Sequence, residues 1–176
     1  MAESVAPALE LQDIRCTFRA REGGEPYTAV DRSTLRVEAG EFVSVVGPTG
    51  CGKSTLLNVA AGLLVPSAGT VRVFGQPLQG VNARAGYMFQ SEALLPWRTA
   101  EENVMLSLQY RGMPEVEQRA QARQWLARVG LSGFGDRYPH QLSGGMRKRT
   151  ALAQTLVRDP DIILMDEPFS ALDIQT

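Results

Sequence analysis

Apolar residues at Leu9 and Leu11, and beyond a break at Cys16 and Phe18, alternate with polar neighbours and predict a first strand. Residues 21–26, with Gly23 and Gly24, make a polar turn. Leu35 and Val37 alternate up to a turn at Ala39 and Gly40, and Phe42 then opens an apolar run of strand length that closes at Val46. Glycine-rich residues 47–52 come next. From Lys53 to about Leu64 the spacing is helical, and it stops near Pro66. Val71 and Val73 share one face of a further alternating stretch that ends at Gly75.

The middle of the chain, roughly 92–138, loses β-branched runs and gains helix formers. Pro114 stands where a helix can start, Glu115 and Arg119 are four apart, and Ala122, Leu126 and Val129 fall on one face before Gly130. A third stretch opens at Leu142, Ser143, Gly144 and Gly145 and keeps helical spacing to about Arg158. Asp159 and Pro160 break it. The apolar run from Ile162 to Met165 is then expected to be a buried strand, ending in Asp166 and Glu167. Strands alternating with helices predict an α/β fold with a mostly parallel sheet, and the helical middle is expected as an insertion into it.

Composition narrows the class of function. The 176 residues suit one domain or a piece of a larger one, and an apolar content of 44% supports a packed core. With 18 Lys+Arg against 19 Asp+Glu, the net charge of −1 lacks the basic surplus needed to coat nucleic acid or anionic lipid. No apolar stretch approaches a membrane span, and the first residues show no secretion signal. Two cysteines, Cys16 and Cys51, are too few for a disulfide scaffold or a four-cysteine metal site. The chain is expected to be soluble, intracellular and reduced.

Gly47, Pro48, Thr49, Gly50, Cys51, Gly52, Lys53 and Ser54 satisfy G-x-x-x-x-G-K-S/T in full, between an apolar run and a helical pattern. Glycines there let successive N–H groups turn inward as an anion nest at the positive end of a helix. Lys53 supplies a point charge for β- and γ-phosphates, Ser54 offers its hydroxyl to Mg²⁺, and Thr55 is placed to reach the α-phosphate. A glycine-rich turn with a solvated lysine is the plainer reading, and the strand–helix context weighs against it. Cys51 occupies a free position of the motif and reads as a small filler.

The run 162–165 delivers two carboxylates where ligands gather at the ends of parallel strands. Asp166 is positioned to hold Mg²⁺ through water, and Glu167 to polarise the water that attacks a γ-phosphate. Ser143 with Gly144 and Gly145 at a helix start offers a second anion site, although alone it would be an ordinary cap. Tyr87-Met88-Phe89-Gln90 reads as a short strand ending in an amide, and Ser170-Ala171-Leu172-Asp173 follows the acidic pair.

In this order, these segments resemble the ATP-binding cassette of ABC transporters over essentially the whole chain. The resemblance implies a P-loop NTPase (RecA-like) fold, with an N-terminal antiparallel β subdomain and an inserted α-helical subdomain. Residues 1–91 and 159–176 would form the ATP-binding core and about 92–158 the helical subdomain of a single domain spanning 1–176. Gln90 would contact Mg²⁺ or the attacking water and sense a transmembrane partner. Ser143, Gly144 and Gly145 would be the signature motif, contacting the γ-phosphate of ATP held by a second protomer. Asp173 would cross the dimer interface, and Phe18 would stack on adenine, with Tyr27 the weaker candidate.

Leu94-Leu95-Pro96-Trp97-Arg98-Thr99, Glu102-Asn103-Val104, Tyr138-Pro139-His140-Gln141 and Asp166-Glu167-Pro168-Phe169 look like the nitrate/sulfonate/taurine-type importers. The implied function is the ATP-hydrolysing subunit of an importer of a small anion. It would be peripheral on the cytoplasmic side of the cell membrane, paired with a second ATP-binding subunit and a permease, and indirectly with a periplasmic or extracellular binding protein. No nucleic-acid partner is implied. A cassette that holds nucleotide without turnover, or a soluble ABC protein outside transport, are the alternatives.

Lys148 stands where the family commonly has Gln. The family also continues past the point where this chain stops, with a helix, further strands and a switch histidine that His140 cannot replace. The chain is therefore expected to be C-terminally truncated, weakly active or inactive alone, with the runs at 42–46 and 162–165 left without the strand that would lie between them.

Overall fold

A computed structural model describes residues 6–19, 24–109 and 112–168. The chain divides into two compact units, Met1–Ala83 and Arg84–Thr176.

The first unit is built on an antiparallel sheet of four strands, β1 (Leu9–Phe18), β2 (Tyr27–Val37), β3 (Ala68–Val73) and β4 (Gln76–Pro77), in the order β2-β1-β3-β4. Leu9 pairs with Val37 on one side and Val73 on the other, and Leu11 with Leu35 and Val71. The break in the apolar alternation of β1 has a structural cause. Asp13 adopts φ 50, and the ladder slips between Leu11 and Ile14, so the buried set switches from Leu9 and Leu11 to Ile14 and Cys16. Helix α1 (Lys53–Ala60) buries Val59 and Ala60 and touches β1 and β2.

Two expectations fail here. The helical spacing to Leu64 shortens to Ala60 because Gly62 turns left-handed (φ +69) and receives the close approach of the Gly80 carbonyl, where a Cβ would collide. The expected strand at 42–46 is absent: residues 41–48 carry no regular structure, with Phe42 91% and Val46 86% exposed. An apolar run becomes a strand only when a neighbour completes its backbone hydrogen bonds, and no described strand pairs with this one.

The second unit starts with β5 (Ala85–Met88), continues through α2 (Ala100–Gln109), α3 (Glu115–Arg128) and α4 (Gly144–Leu156), and returns in β6 (Ile162–Met165), parallel to β5. Its core gathers Val104, Met105 and Leu108 of α2, Ala122 and Leu126 of α3, and Ala153 of α4. Thr99 and Glu102 close a capping box on α2: Glu102 Oε2 accepts from Thr99 N (2.8 Å), and Thr99 Oγ1 from Glu102 N (3.3 Å). The expectation that 162–165 is a buried strand holds for Leu164 but not Ile163, which is 46% exposed. Among the described residues β6 has β5 as its only neighbour, so one edge stays open.

Candidate functional site

In the first unit the loop 47–52 leads directly into α1. Gly52 is the N-cap in the left-handed region (φ 95), and a Cβ there would lie 2.5 Å from the Ala29 carbonyl oxygen. No side chain caps α1, so the N–H groups that every helix leaves unbonded in its first turn remain available to an anion. Lys53 Nζ folds back to donate to the carbonyls of Gly47 and Pro48, both at 3.0 Å. Cys51 is exposed, its sulfur occupying the space where a side chain at Gly47 would start.

Phe18 and Tyr27 face each other in the β1–β2 register. Both rings are substantially exposed, and the Tyr27 hydroxyl donates to the Gly50 carbonyl at 3.5 Å. The weaker aromatic candidate is thus the one hydrogen-bonded to the loop.

In the second unit the carboxylates stand at the end of β6. Asp166 is buried, and its N–H extends the ladder by donating to the Met88 carbonyl at 2.9 Å. Glu167 is exposed, in the left-handed region at φ 45. Gln90 Nε2 donates to Glu167 Oε2 at 2.8 Å. Burial first, and the Asp166 charge second, push the Tyr87 phenol up to about 12, so it stays neutral beside the carboxylate.

Ser143 is the N-cap of α4, its Oγ accepting from Met146 N at 3.2 Å. Side chains built at Gly144 or Gly145 would meet almost nothing, so this turn is open to an approaching group. Arg147, one turn on, donates to the Leu142 carbonyl and lies 3.7 Å from Glu92 Oε1, which ties the turn at 143–145 to the chain just past Gln90. Lys148 is only 6% exposed and donates to the Pro168 carbonyl at 3.4 Å. Asp173 and the rest of the segment after Pro168 lie outside the described residues.

A sequence profile described as "ABC transporter" matches residues 30–170. The chain belongs to the ABC transporter family. It is 48% identical over 153 residues to an uncharacterised ABC transporter ATP-binding protein of Methanocaldococcus jannaschii, covering 87% of this chain and 57% of that one. With the taurine import ATP-binding protein TauB of Yersinia pestis it shares 46% identity, over 87% of this chain and 59% of the relative. With the nitrate import ATP-binding protein NrtD of Synechocystis it shares 44%, over 96% and 62%. The chain therefore spans 57% to 62% of the length of these curated relatives. Among solved structures it resembles the ATP-binding cassette MJ0796, a dimer in a post-hydrolysis state bound to ADP and Pi. The TM-score is 0.86 at 35% identity, covering 94% of this chain and 76% of that one.

Sequence reading missed how this ABC cassette supports its loops. Asn103 is fully buried: Oδ1 accepts from Leu95 N (2.8 Å), and Nδ2 reaches the carbonyls of Leu95, Arg98 and Thr99. It holds the segment that follows Gln90. Glu101, also buried, takes both Arg119 and Arg123. The signal was present in the sequence as polar residues next to apolar Val104 and Met105, on the face that α2 buries.

Proposed function

We propose that this chain is the ATP-binding and ATP-hydrolysing part of an ABC importer. The observation that carries the reading is the uncapped start of α1 behind a complete phosphate loop, with the Lys53 ammonium parked on that loop's own carbonyls. A triphosphate entering the loop replaces those carbonyls with anionic oxygens, which bind an ammonium more strongly. The backbone amides hold the β-phosphate, Ser54 and Thr55 flank it, and Phe18 stacks on the adenine while Tyr27 steadies Gly50.

Ser54, Gln90 and Asp166 offer hydroxyl, amide and carboxylate oxygens, the donor chemistry that Mg²⁺ takes. Among the described residues there is no cluster of three His, Cys, Asp or Glu that could hold a metal ion. In this proposal the cation is held largely by phosphates and water. When bound, Mg²⁺ supplies charge neutralisation on the phosphates. Glu167 orients and deprotonates the water. Ser143, Gly144 and Gly145 contact the γ-phosphate bound by a second copy, so that two copies sandwich two nucleotides. We take 1–91 with 159–176 as the ATP-binding core and about 92–158 as the helical subdomain.

Closure of the pair is passed to a transmembrane permease near Gln90, where Phe89 and Trp97 are exposed. No helix among the described residues is long and apolar enough to cross a membrane. In this proposal the permease spans the membrane and this subunit lies on its cytoplasmic side. The names of the taurine and nitrate import relatives support a small anion as cargo, delivered by a separate binding protein. Equilibrium binding of Mg·ATP to the folded chain, with turnover measured separately, tests the reading. Binding with weak or no turnover by this chain alone is the expected result. Turnover at a full rate would overturn the expectation that the chain is inactive alone, and no binding would overturn the proposal.

A further inference from the structure

Glu167 holds a backbone that its sequence opposes twice. A non-glycine residue with positive φ is uncommon, and a residue in front of proline ordinarily takes an extended conformation. Yet Glu167 stands at φ 45 immediately before Pro168. Such a backbone persists only where its surroundings fix it from both sides. Asp166 N donates to the Met88 carbonyl at 2.9 Å, which pins the preceding residue to β5. The Pro168 carbonyl accepts from the Lys148 ammonium at 3.4 Å, which pins the following residue to α4. Proline has no N–H, so its carbonyl is the one backbone group by which a hydrogen bond can hold it.

Lys148 is a costly residue for that task. It lies on the buried side of α4 with Thr150, Ala151 and Ala153, and lysine is almost never fully buried unless paired. Its neighbours also reach for turns: Arg147 donates to the Leu142 carbonyl, and Arg149 to the carbonyls of Val129 and Gly130. Three consecutive cations of one helix thus hold three separate turns, and the most deeply buried of them holds the turn that carries the carboxylate. Burying an ammonium sacrifices hydration, so this charge is poorly explained as a source of stability and better explained by what it holds.

We propose that Lys148 is a positioning residue for Glu167: its ammonium fixes the Pro168 carbonyl, the parallel ladder fixes Asp166, and between these anchors Glu167 is kept in the left-handed backbone that presents its carboxylate. This deepens the proposed ATPase reading, because only there is Glu167 a base. It also makes the placement of that carboxylate depend on α4, whose first turn carries Gly144 and Gly145 behind the Ser143 cap.

The pairs Pro168-Phe169 and Asp166-Glu167 each occur once in the sequence. Carbonyl-¹³C proline with ¹⁵N-phenylalanine therefore isolates the Pro168 carbonyl by NMR of the whole chain, free of metal and nucleotide. Carbonyl-¹³C aspartate with ¹³C,¹⁵N-glutamate isolates the Glu167 backbone in the same way. In Lys148→Met the Pro168 carbonyl carbon is expected to shift upfield, and the Glu167 Cα and Cβ shifts to move toward extended values. Lys148→Gln, which keeps a donor without the charge, is expected to recover part of both, and Arg149→Met to change neither. An unmoved Pro168 carbonyl in Lys148→Met would overturn the proposal. So would a moved carbonyl with the Glu167 shifts left in place, or equal movement in Arg149→Met, which would mark a general loosening of α4. Methionine keeps an apolar stem and leaves no unpaired charge inside, and unchanged methyl spectra verify that Lys148→Met folds. Equilibrium dialysis of ATP against the wild-type chain separates the two readings. Absence of binding would refute the ATPase proposal, while the metal-free spectra still decide whether Lys148 holds Glu167.

Discussion

Among the described residues Lys53 has no carboxylate partner, and its ammonium donates to two backbone carbonyls of its own loop. Such bonds are easily exchanged for phosphate, as the proposed role of the side chain in binding requires. Lys53→Ala is expected to weaken ATP binding by tenfold or more, about 1.4 kcal/mol, with an unchanged melting temperature; equilibrium dialysis and thermal unfolding check the two halves. Asn103 is the opposite case. Its amide satisfies several backbone groups in a fully buried position, and Asn103→Ala leaves them without partners. A loss of about 2–3 kcal/mol in chemical denaturation is expected, together with weaker order in the segment after Gln90. The two thiols differ as well. Burial pushes Cys16 up, while Cys51 is exposed, so the phosphate-loop thiol should label first with a disulfide reagent and Cys16 only on unfolding.

The helical elements are held by an apolar core that meets at Leu108, Leu126 and Leu131. Leu126→Ala opens a cavity there, and a destabilisation of about 2–5 kcal/mol by thermal or urea unfolding is the expected outcome. The base of the parallel pair depends on charge. The Arg84 guanidinium, 2.8 Å from Asp161, holds that carboxyl below its ordinary value. A lowered native value means that stability from this pair is present at neutral pH. It is lost as the pH falls through the ordinary carboxylate range and then the lowered native value. The stability difference between wild type and Arg84→Met should therefore be seen at pH 7 and vanish in acid. A difference that grows on acidification would refute the assignment. Both partners are about half exposed, so the effect is small.

On the scale of the whole molecule, the run from Phe42 to Val46 is apolar, irregular and open to solvent. An exposed apolar segment with unpaired backbone groups promotes association. Phe42→Ser is expected to reduce concentration-dependent self-association in sedimentation while moving stability by no more than about 0.5 kcal/mol. A large loss of stability would show that Phe42 is packed in solution.

The candidate site was legible as short strings. The glycine-rich loop at 47–54, the acidic pair, Gln90 and the turn at 143–145 are contiguous patterns, the last two given their proposed roles by the family resemblance, and a local pattern specifies local geometry. Helix starts at Pro114 and Ser143 were readable for the same reason. Whether 42–46 becomes a strand, how deeply Ile163 is buried and where β1 bulges depend on which strand lies alongside, and pairing partners are distant in the chain. The hydrogen bond between Gln90 and Glu167 belongs to that second kind: each residue could be singled out from its motif, but only the parallel register of β5 and β6 brings an amide and a carboxylate separated by 77 positions to within 2.8 Å.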